Sequence, residues 1–285
     1  MKLVMTLLVR DAEELLRQNL EFHLRQGVDF FIITDNASVD GTGRVIQDYV
    51  RAGLAEGIWE PEDTYSQARW VTRMARRAAI QHGADWVINN DDDEFWSGDG
   101  GSLKDVLAQV PAARLAVEVQ RRNHPPLASV DGPGFLQAMV YRERRSLNPM
   151  GRPLPPKVCH RGFADIEVAQ GNHSASRGGA MLQAMTTGTI AISHFPLRGY
   201  AAFERKIALG GAAYTRNTEA DPTDGASWRW LYEVLRRGGL RAWYDRQALA
   251  EEAIARGLAD GALVKDDSVL RTLALPHEGS CSLAV

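Results

Sequence analysis

The sequence has few cysteines and no long apolar run, and each absence excludes a class of protein. Its two cysteines, Cys159 and Cys281, are too few and too far apart for a disulfide framework or a cysteine zinc site. Such a count is typical of a reducing compartment. No stretch approaches the ~20 apolar residues needed to cross a bilayer. We therefore predict no transmembrane segment.

An excess of basic charge is missing as well. The formal net charge is −3, whereas a dedicated nucleic-acid binder normally presents a basic face, so no nucleic-acid partner is predicted. Arg10 and Asp11 interrupt the apolar N-terminal run, and no small-residue cleavage site follows, which indicates a core strand and not a signal peptide. With 45% hydrophobic and 24% charged residues, the chain can bury a sizeable core. We expect a cytoplasmic globular protein.

The first part of the sequence alternates strand-like and helix-like segments. The strand-like runs are "LVMTLLV", "VDFFIIT", "LAEGIWE" and "ADWVIN". The first intervening helix is expected to begin with Asp11 and Glu14 as a capping pair and to end at Gly27. Near-continuous apolar strands that alternate with helices predict an α/β fold in which a mainly parallel sheet is flanked by helices.

The pattern is looser after Ser102. A short helix "SLKDVLAQV" and the strands "RLAVEVQ" and "GTIAISHF" are expected. Frequent prolines and glycines between residues 123 and 162 indicate long loops over a mixed sheet. Helices predicted at 200–209, 226–236 and 246–256 form a C-terminal helical portion.

Four acidic residues, Asp91 to Glu94, stand between an apolar run and two aromatic residues in "WVINNDDDEFW". They follow the fourth strand, at the edge of a parallel sheet where ligands bind. Alternate residues point to one side, so Asp91 and Asp93 can converge. Close carboxylates repel unless a cation or proton lies between them, and hard oxygen ligands suit Mg²⁺ or Mn²⁺. The alternative is a solvated acidic turn, but the flanking apolar residues favour a metal site.

Together these segments resemble the glycosyltransferase family 2-like proteins, which have the Rossmann-like GT-A fold. The resemblance covers roughly residues 3 to 210. It rests on the N-terminal strand–Arg–Asp segment, the "DNASVDGT" turn and "NNDDDEFW". It implies a GT-A domain at 1–210, with a nucleotide-sugar-binding half (1–100) and an acceptor-side half (101–210), and a C-terminal helical extension (211–285) packed on the same domain.

The resemblance also implies an activity. Members of this family move a sugar from a nucleotide-diphosphate sugar to an acceptor hydroxyl, and they invert the anomeric centre. We expect a UDP-sugar as donor and a carbohydrate, a glycolipid or a small molecule as acceptor. A glycolipid acceptor would place the protein at the inner face of a membrane.

The metal ligands follow from the same resemblance. In this family the aspartates form a DxD motif whose divalent cation, Mn²⁺ or Mg²⁺, bridges the two donor phosphates. Carried over, Asp91 and Asp93 bind the metal and Asp92 is the middle, donor-facing residue. A frame shifted by one residue would use Asp92 and Glu94 instead. His194, which ends "TIAIS", resembles the later histidine that completes the metal shell.

Other residues of the first half could contact the donor, and some of them have a structural or surface role as the alternative. Asp35 matches a family position that hydrogen-bonds the base or ribose. Arg10 can meet base or phosphate, or form a surface ion pair. Gln67 and Arg73 lie in the helix whose start approaches the donor in this architecture, although the arginine spacing there usually marks a solvated face.

Basic residues in the second half are candidates for the donor diphosphate. Arg198 and Lys206 follow His194 along the chain, and Arg offers phosphate a fork while Lys offers a point charge. Lys157 and Arg161 are weaker candidates for the same role.

The catalytic base should be an acidic residue of the second half that takes a proton from the acceptor. Asp165 and Glu167 in "ADIEV" fit by position, with exposed loop carboxylates as the alternative. His173 in "GNHS" either competes with His194 for the metal or lies beside the acceptor. The residues alone do not choose among them.

Two other functions remain open from sequence. A nucleotidyltransferase would need a similar metal site but usually has a glycine-rich loop after the first strand, and "VRDAEELL" has no glycine. A non-catalytic module that binds a nucleotide-sugar or carbohydrate could have the same fold, although the intact Asp91 and Asp93 speak against it.

Overall fold

A computed structural model describes residues 1–64, 66–128, 134–217, 221 and 224–275. Its first half alternates strands and helices as expected. The elements are β1 (Leu3–Val9), α1 (Glu13–Arg25), β2 (Phe30–Asp35), α2 (Thr42–Arg51), β3 (Ala55–Trp59), α3 (Gln67–Ile80), β4 (Trp86–Asn90), β5 (Glu94–Gly98) and α4 (Leu103–Ala108).

The second half contains shorter strands and then helices. Its elements are β6 (Ala116–Val119), β7 (Arg121–Asn123), α5 (Phe135–Ala138), β8 (Tyr141–Glu143), β9 (Lys157–Arg161), β10 (Ile166–Val168), a 3₁₀ turn (Gln170–Asn172), β11 (Ala175–Arg177), β12 (Ala180–Met181), β13 (Ala184–Thr186), β14 (Ile190–His194), α6 (Tyr200–Arg216), α7 (Ala226–Arg236), α8 (Leu240–Asp245), α9 (Glu251–Ala259), β15 (Leu263–Lys265) and α10 (Ser268–Ala274). Among the described residues, no helix has the length and apolar character to cross a membrane.

A seven-stranded sheet of order β13-β6-β9-β4-β1-β2-β3 forms the centre. Strands β4, β1, β2 and β3 pair in parallel, and so do β13 and β6. Strand β9 runs antiparallel to both of its neighbours. The predicted fold class, a mixed but mainly parallel sheet flanked by helices with a C-terminal helical portion, is confirmed.

Neighbouring residues of each strand point to opposite faces of the sheet. In β1, β2 and β4 nearly all of these residues are buried, so both faces of the sheet are covered there. Leu3 and Met5 of β1 pack with Tyr49 of α2 on one face. Val4 packs with Met74 of α3 on the other. Helices therefore cover both sides, as the apolar strands predict.

The start of α1 differs from the prediction. Its N-cap is Ala12, and no side chain caps it. Asp11 instead has the left-handed φ of 50°, and its Oδ1 accepts a hydrogen bond from the Val39 amide. The expected Asp11–Glu14 capping pair is therefore wrong, because Asp11 holds the turn after β2. The expected end of α1 at Gly27, whose φ is 84°, is confirmed.

Two expectations for the second half are also wrong in detail. The region from 123 to 162, predicted as loops, contains β9 between β6 and β4 of the central sheet. The helix predicted at 246–256 is α9, which begins only at Glu251, because Ala250 is extended and residues 246–250 lie between α8 and α9. Helix α10 lies against α1, where Val269 packs with Leu15 and Phe22. The proposed domain boundaries stay a prediction.

Candidate active site

The acidic turn, residues 91–94, connects β4 to β5 and is held by buried polar side chains. Asn19 of α1 donates from Nδ2 to the carbonyl oxygens of Asp92 and Glu94. Asn90 Oδ1 accepts from the indole nitrogen of Trp96 at 2.9 Å. Trp96 is fully buried. These bonds fix the backbone of the turn, and the carboxylate side chains therefore project from defined positions.

A second, three-stranded sheet brings distant residues to this turn. Strand β14 pairs with β5 and with β7. In that register His194 lies opposite Glu94 on one side and Asn123 on the other. The sheet therefore places a histidine beside the acidic turn.

Asp91 is tied to a buried lysine. Lys157, the first residue of β9, is 1% exposed, and its Nζ lies 2.5 Å from Asp91 Oδ2 and 3.4 Å from Glu94 Oε1. Asn172 Nδ2 donates to Asp91 Oδ1. Burial disfavours the charged carboxylate, but Lys157 outweighs burial and holds the pKa of Asp91 below its usual range.

Asp93 faces the other cations of the site. Lys206 Nζ donates to its Oδ2 at 2.5 Å, and Arg198 Nη1 lies 3.7 Å from the same oxygen. Burial opposes ionisation, yet these cations lower the pKa of Asp93 well below its usual range. The neighbouring Asp92 differs, because burial and the charge of Asp93 raise its pKa.

Glu94 is fully buried and only partly paired. Arg121 Nη1 lies 3.1 Å from its Oε1, while Oε2 has no hydrogen-bond partner among the described residues. Burial raises the pKa of Glu94 to about 7. A buried carboxylate oxygen without a donor is costly, so Oε2 has capacity for a proton or a cation.

His194 is oriented by Asn123. Its Nδ1 lies 2.7 Å from Asn123 Oδ1, so the Nδ1–H donates and Nε2 carries a lone pair. Nε2 is 3.7 Å from Asp93 Oδ1. Burial lowers the pKa of His194 to about 3, which keeps the ring neutral.

The ligand atoms of Asp93, Glu94 and His194 lie within 4.8 Å of one another. Glu94 Oε2 has no donor among the described residues. A neutral imidazole whose other nitrogen is held by a hydrogen bond is the usual arrangement of a metal ligand. The residues present therefore fit a divalent cation. This group includes Glu94 and leaves out Asp91, whereas the sequence reading paired Asp91 and Asp93.

A cavity of about 800 Å³ adjoins this group. Eight of the predicted donor and metal residues line it, together with one predicted catalytic residue and Lys157. They are Arg10, Gln67, Asp91, Asp92, Asp93, His194, Arg198 and Lys206, with His173 as the catalytic candidate.

Two of the lining residues are engaged in structural contacts. Arg10 pairs with Asp63 at 2.7 Å, and Asp63 also pairs with Arg216 at the end of α6. Gln67 Oε1 accepts from the Gly171 amide. The ion-pair alternative considered for Arg10 is thus present.

Two predicted donor residues do not line this cavity. Asp35 Oδ1 accepts from the Ser38 amide within the turn after β2, and Asp35 borders a second, smaller hollow beside Trp59. Arg73 pairs with Glu60 at 3.0 Å.

The predicted catalytic residues lie in two different places, Asp165 and Glu167 outside the cavity and His173 in its wall. Asp165 pairs with Arg177, and Glu167 lies 3.5 Å from Arg76; both carboxylates are more than half exposed, and neither lines the cavity. His173 does line it. Its Nδ1 lies 2.7 Å from the Pro156 carbonyl, and burial together with Lys157 lowers its pKa to about 4.

Sequence reasoning missed Arg121, Asn123 and Asn172, and gave Lys157 too little weight. Arg121 and Asn123 alternate in "QRRN" directly after an apolar strand, a signal that resembles the one used for Asp91 and Asp93. Asn172 has a positive φ of 60° in a glycine-containing turn. Arg161, weighed equally with Lys157, lies at the opposite end of β9, with its guanidinium 4.4 Å from the Trp86 ring centroid.

Comparison with known proteins supports a glycosyltransferase. Residues 5–124 match the model of glycosyltransferase family 92. This segment is less than half of the chain, but it contains most of β1, then β2 to β4, the acidic turn and Asn123. The resemblance to family 2 is not tested by this match and stays a prediction. No curated protein matches the sequence.

Solved structures are only distantly similar to this chain. S. aureus TarS 1-349 is 13% identical, with 90% of this chain and 92% of that chain covered and a TM-score of 0.45. Its complex with UDP-GlcNAc is 14% identical, with 83% and 72% covered and a TM-score of 0.46. HddC from Yersinia pseudotuberculosis is 11% identical, with 68% and 77% covered and a TM-score of 0.30. Overlaps at this level assign no role to any residue.

Proposed function

We propose that this protein is a metal-dependent glycosyltransferase that moves a sugar from a nucleoside-diphosphate sugar to an acceptor hydroxyl, with inversion. UDP-sugars are the first donors to test. The observation that carries the proposal is the group of Asp93, Glu94 and His194, beside Lys206 and Arg198, at the wall of an 800 Å³ cavity. The family match over residues 5–124 supports the same activity.

The proposed cation is Mn²⁺ or Mg²⁺, held by Asp93 and His194. When bound, it supplies positive charge that stabilises the diphosphate leaving group. Glu94 is the third ligand favoured by the geometry, because its Oε2 is buried and has no hydrogen-bond partner in the described part of the chain. Asp91, the ligand implied by the resemblance, would have to exchange its contact with Lys157 for the cation.

The two possible ligand sets differ in a measurable way. In Glu94→Gln and Asp91→Asn a carboxylate becomes an amide of the same shape. Manganese binding, measured by calorimetry without any donor, should weaken more in whichever variant has lost a ligand. Glu94→Gln is expected to show the larger loss; a larger loss in Asp91→Asn would assign the site to Asp91 and Asp93.

Basic side chains of the chain would take up the charge of the diphosphate. Lys206 and Arg198 already face Asp93, and Lys157 faces Asp91 and Glu94. Fixed cations in a partly buried cavity stabilise charge that develops during the reaction, because they need little reorganisation. We expect these three residues to contact the donor phosphates.

His173 is our candidate for accepting the proton of the acceptor hydroxyl. The Pro156 carbonyl holds its Nδ1–H, so the other ring nitrogen is the acceptor. Its lowered pKa keeps the ring neutral near pH 7. The exposed Asp165 and Glu167 would require an acceptor outside the cavity, so we place them second.

The test is turnover of nucleotide-sugars. Purified protein is incubated with a panel of UDP-sugars and Mn²⁺, and release of UDP is followed with and without a chelator. The expected result is slow, metal-dependent hydrolysis, faster with a suitable acceptor, and a product of inverted anomeric configuration by NMR. Release of pyrophosphate from a nucleoside triphosphate would indicate a nucleotidyltransferase instead.

A non-catalytic binding module would behave differently in the same experiment. A UDP-sugar with Mn²⁺ would raise the thermal midpoint, because a ligand that binds the folded state stabilises it. No donor would be consumed. That combination would reject the enzyme while keeping the donor site.

A further inference from the structure

Residues 144–153, which we name the arginine hairpin, lie between β8 and β9 and form a defined projection. Leu147 bridges to Pro153 in an antiparallel pair, and the Leu154 amide donates to the Ser146 carbonyl. At the tip, Asn148 Oδ1 accepts from the amides of Met150 and Arg152. The amides of Met150, Gly151 and Arg152 are thus bonded within the hairpin itself.

Large apolar side chains project from this hairpin. Leu147 is 50% exposed and Met150 is 40% exposed, and Pro149 lies between them. These residues also line the rim of the large cavity. An exposed apolar cluster beside a cavity commonly marks an interaction surface.

The charge of the hairpin is of one sign. Arg144, Arg145 and Arg152 are exposed, and the sequence has no Asp or Glu from position 144 to 164, although the whole chain carries −3. Within the part of the chain that the structure describes, neither Arg145 nor Arg152 forms an ion pair, while Arg144 Nε donates to the Gly261 carbonyl. The positive charge is therefore concentrated and available.

We propose that the arginine hairpin docks on an anionic phospholipid bilayer. Guanidinium groups bind lipid phosphates by paired hydrogen bonds, and basic residues beside a membrane are attracted to anionic headgroups. Leu147 and Met150 would enter the interface, where apolar side chains are favoured. Because the tip amides of Met150, Gly151 and Arg152 are already bonded, they are not left unpaired when the tip enters a poorly hydrated layer.

This surface follows from exposure, charge and hairpin geometry, and it does not depend on the proposed transferase activity. Docking in this way would turn the cavity rim toward the lipid. An acceptor carried by a lipid would then reach the cavity from the membrane surface.

The test is co-sedimentation with vesicles, without donor or metal. Vesicles of phosphatidylcholine alone are compared with vesicles that also contain phosphatidylglycerol, using wild type and two double variants. One combines Arg145→Gln with Arg152→Gln, and the other combines Leu147→Ser with Met150→Ser. We expect binding to the anionic vesicles only, and at least about tenfold weaker partition in each variant.

A matched control replaces Met181, which is 67% exposed on β12 and does not line the cavity. Met181→Ser should bind vesicles as wild type does, and thermal unfolding confirms that every variant is folded. Equal sedimentation with both vesicle types would overturn the proposal. So would binding that depends on the arginines but not on Leu147 and Met150, together with equal binding to a soluble polyanion such as dextran sulfate; that outcome would assign the hairpin to an anionic polymer.

Discussion

The acidic turn and the arginine hairpin border the same cavity, yet they carry charge in opposite ways. The carboxylates of Asp93 and Glu94 are buried, and each faces a cation of the chain. The guanidinium groups of Arg145 and Arg152 are exposed, with no carboxylate partner among the described residues. Buried charges are fixed by their partners and cannot be removed singly without cost. Exposed ones are free to meet a ligand.

Because their charges differ in burial, the acidic turn and the arginine hairpin are suited to different tasks. A turn whose backbone and side chains are held from several elements can present a constant geometry to a cation and a diphosphate. A hairpin whose tip is held by its own hydrogen bonds, and whose arginines are exposed, can present charge to a large and variable surface. We therefore expect substitutions in the turn to change chemistry, and substitutions in the hairpin to change association.

The largest effect is expected from Asp93→Asn. The amide cannot pair with Lys206 or bind a cation as strongly, so transfer should fall by about 10²–10³-fold, the loss typical when one fixed group of a charge-stabilising site is removed. Turnover of a UDP-sugar measures it.

The matched control for that variant is Asp245→Asn, an exposed carboxylate on α8 paired with Arg241. It should keep wild-type turnover. If Asp93→Asn also kept it, the site would not be where we place it.

A smaller effect concerns buried groups that hold the sheet near the turn. His160 accepts from Asn89 through Nε2 and donates from Nδ1 to a carbonyl, and burial lowers its pKa to about 4. The unfolded chain binds a proton near pH 6.5 and the folded chain does not, so folding stability falls as pH drops from about 6.5 toward 4. At pH 5 the loss is about 2 kcal/mol.

His160→Gln measures this loss by comparison. Denaturant unfolding at pH 7 and pH 5 should show a smaller drop in the variant than in wild type, with His23 and His124 titrating alike in both. Equal drops would mean that His160 is not the group that carries the pH dependence.

The metal shell gives the next prediction. His194→Ala removes a nitrogen ligand and should weaken Mn²⁺ affinity by about tenfold or more. Manganese titration in the absence of donor is the measurement. His82→Ala, which removes a partly exposed histidine paired with Glu56, is the control. Wild-type affinity in His194→Ala would transfer the role to His173.

The smallest effect is expected from a substitution in the arginine hairpin. Arg152→Gln removes an exposed charge with no ion-pair partner among the described residues. The free energy of unfolding should change by less than about 0.5 kcal/mol. A loss of several times that value, measured by urea unfolding, would show that the hairpin charge is structural and not held for a partner.

Sequence patterns were sufficient for the sheet where the strands are uniformly apolar. Strands β1, β2 and β4 are buried on both faces, and such strands show as continuous apolar runs. Strand β9, "KVCHR", carries three basic residues, so its pattern indicates a loop. Its central position is possible because Lys157 pairs with Asp91 and Arg161 lies over Trp86, and neither contact can be read from local sequence.

The site was predictable to a similar degree. The acidic turn follows from its place after β4. His194 follows from the family resemblance, and the cavity-lining Arg198 and Lys206 follow from the affinity of basic side chains for phosphate. The capacity of Glu94 could not be foreseen, since it depends on which oxygen Arg121 reaches. Likewise, Asp165 and Glu167 fit by position along the chain, but Glu167 in β10 and Asp165 just before it are both more than half exposed and do not line the cavity. The cytoplasmic location stays a prediction.

Strand β9 has one further consequence, because it runs against its neighbours. Its first residue, Lys157, therefore lies at the edge where the parallel strands end, and the segment that leads into it comes directly from the arginine hairpin. Prolines at 153, 155 and 156 stiffen this short connection by restricting φ. The cavity rim and the Lys157 ammonium group, which lies between Asp91 and Glu94, are thus joined by a short segment of restricted conformational freedom.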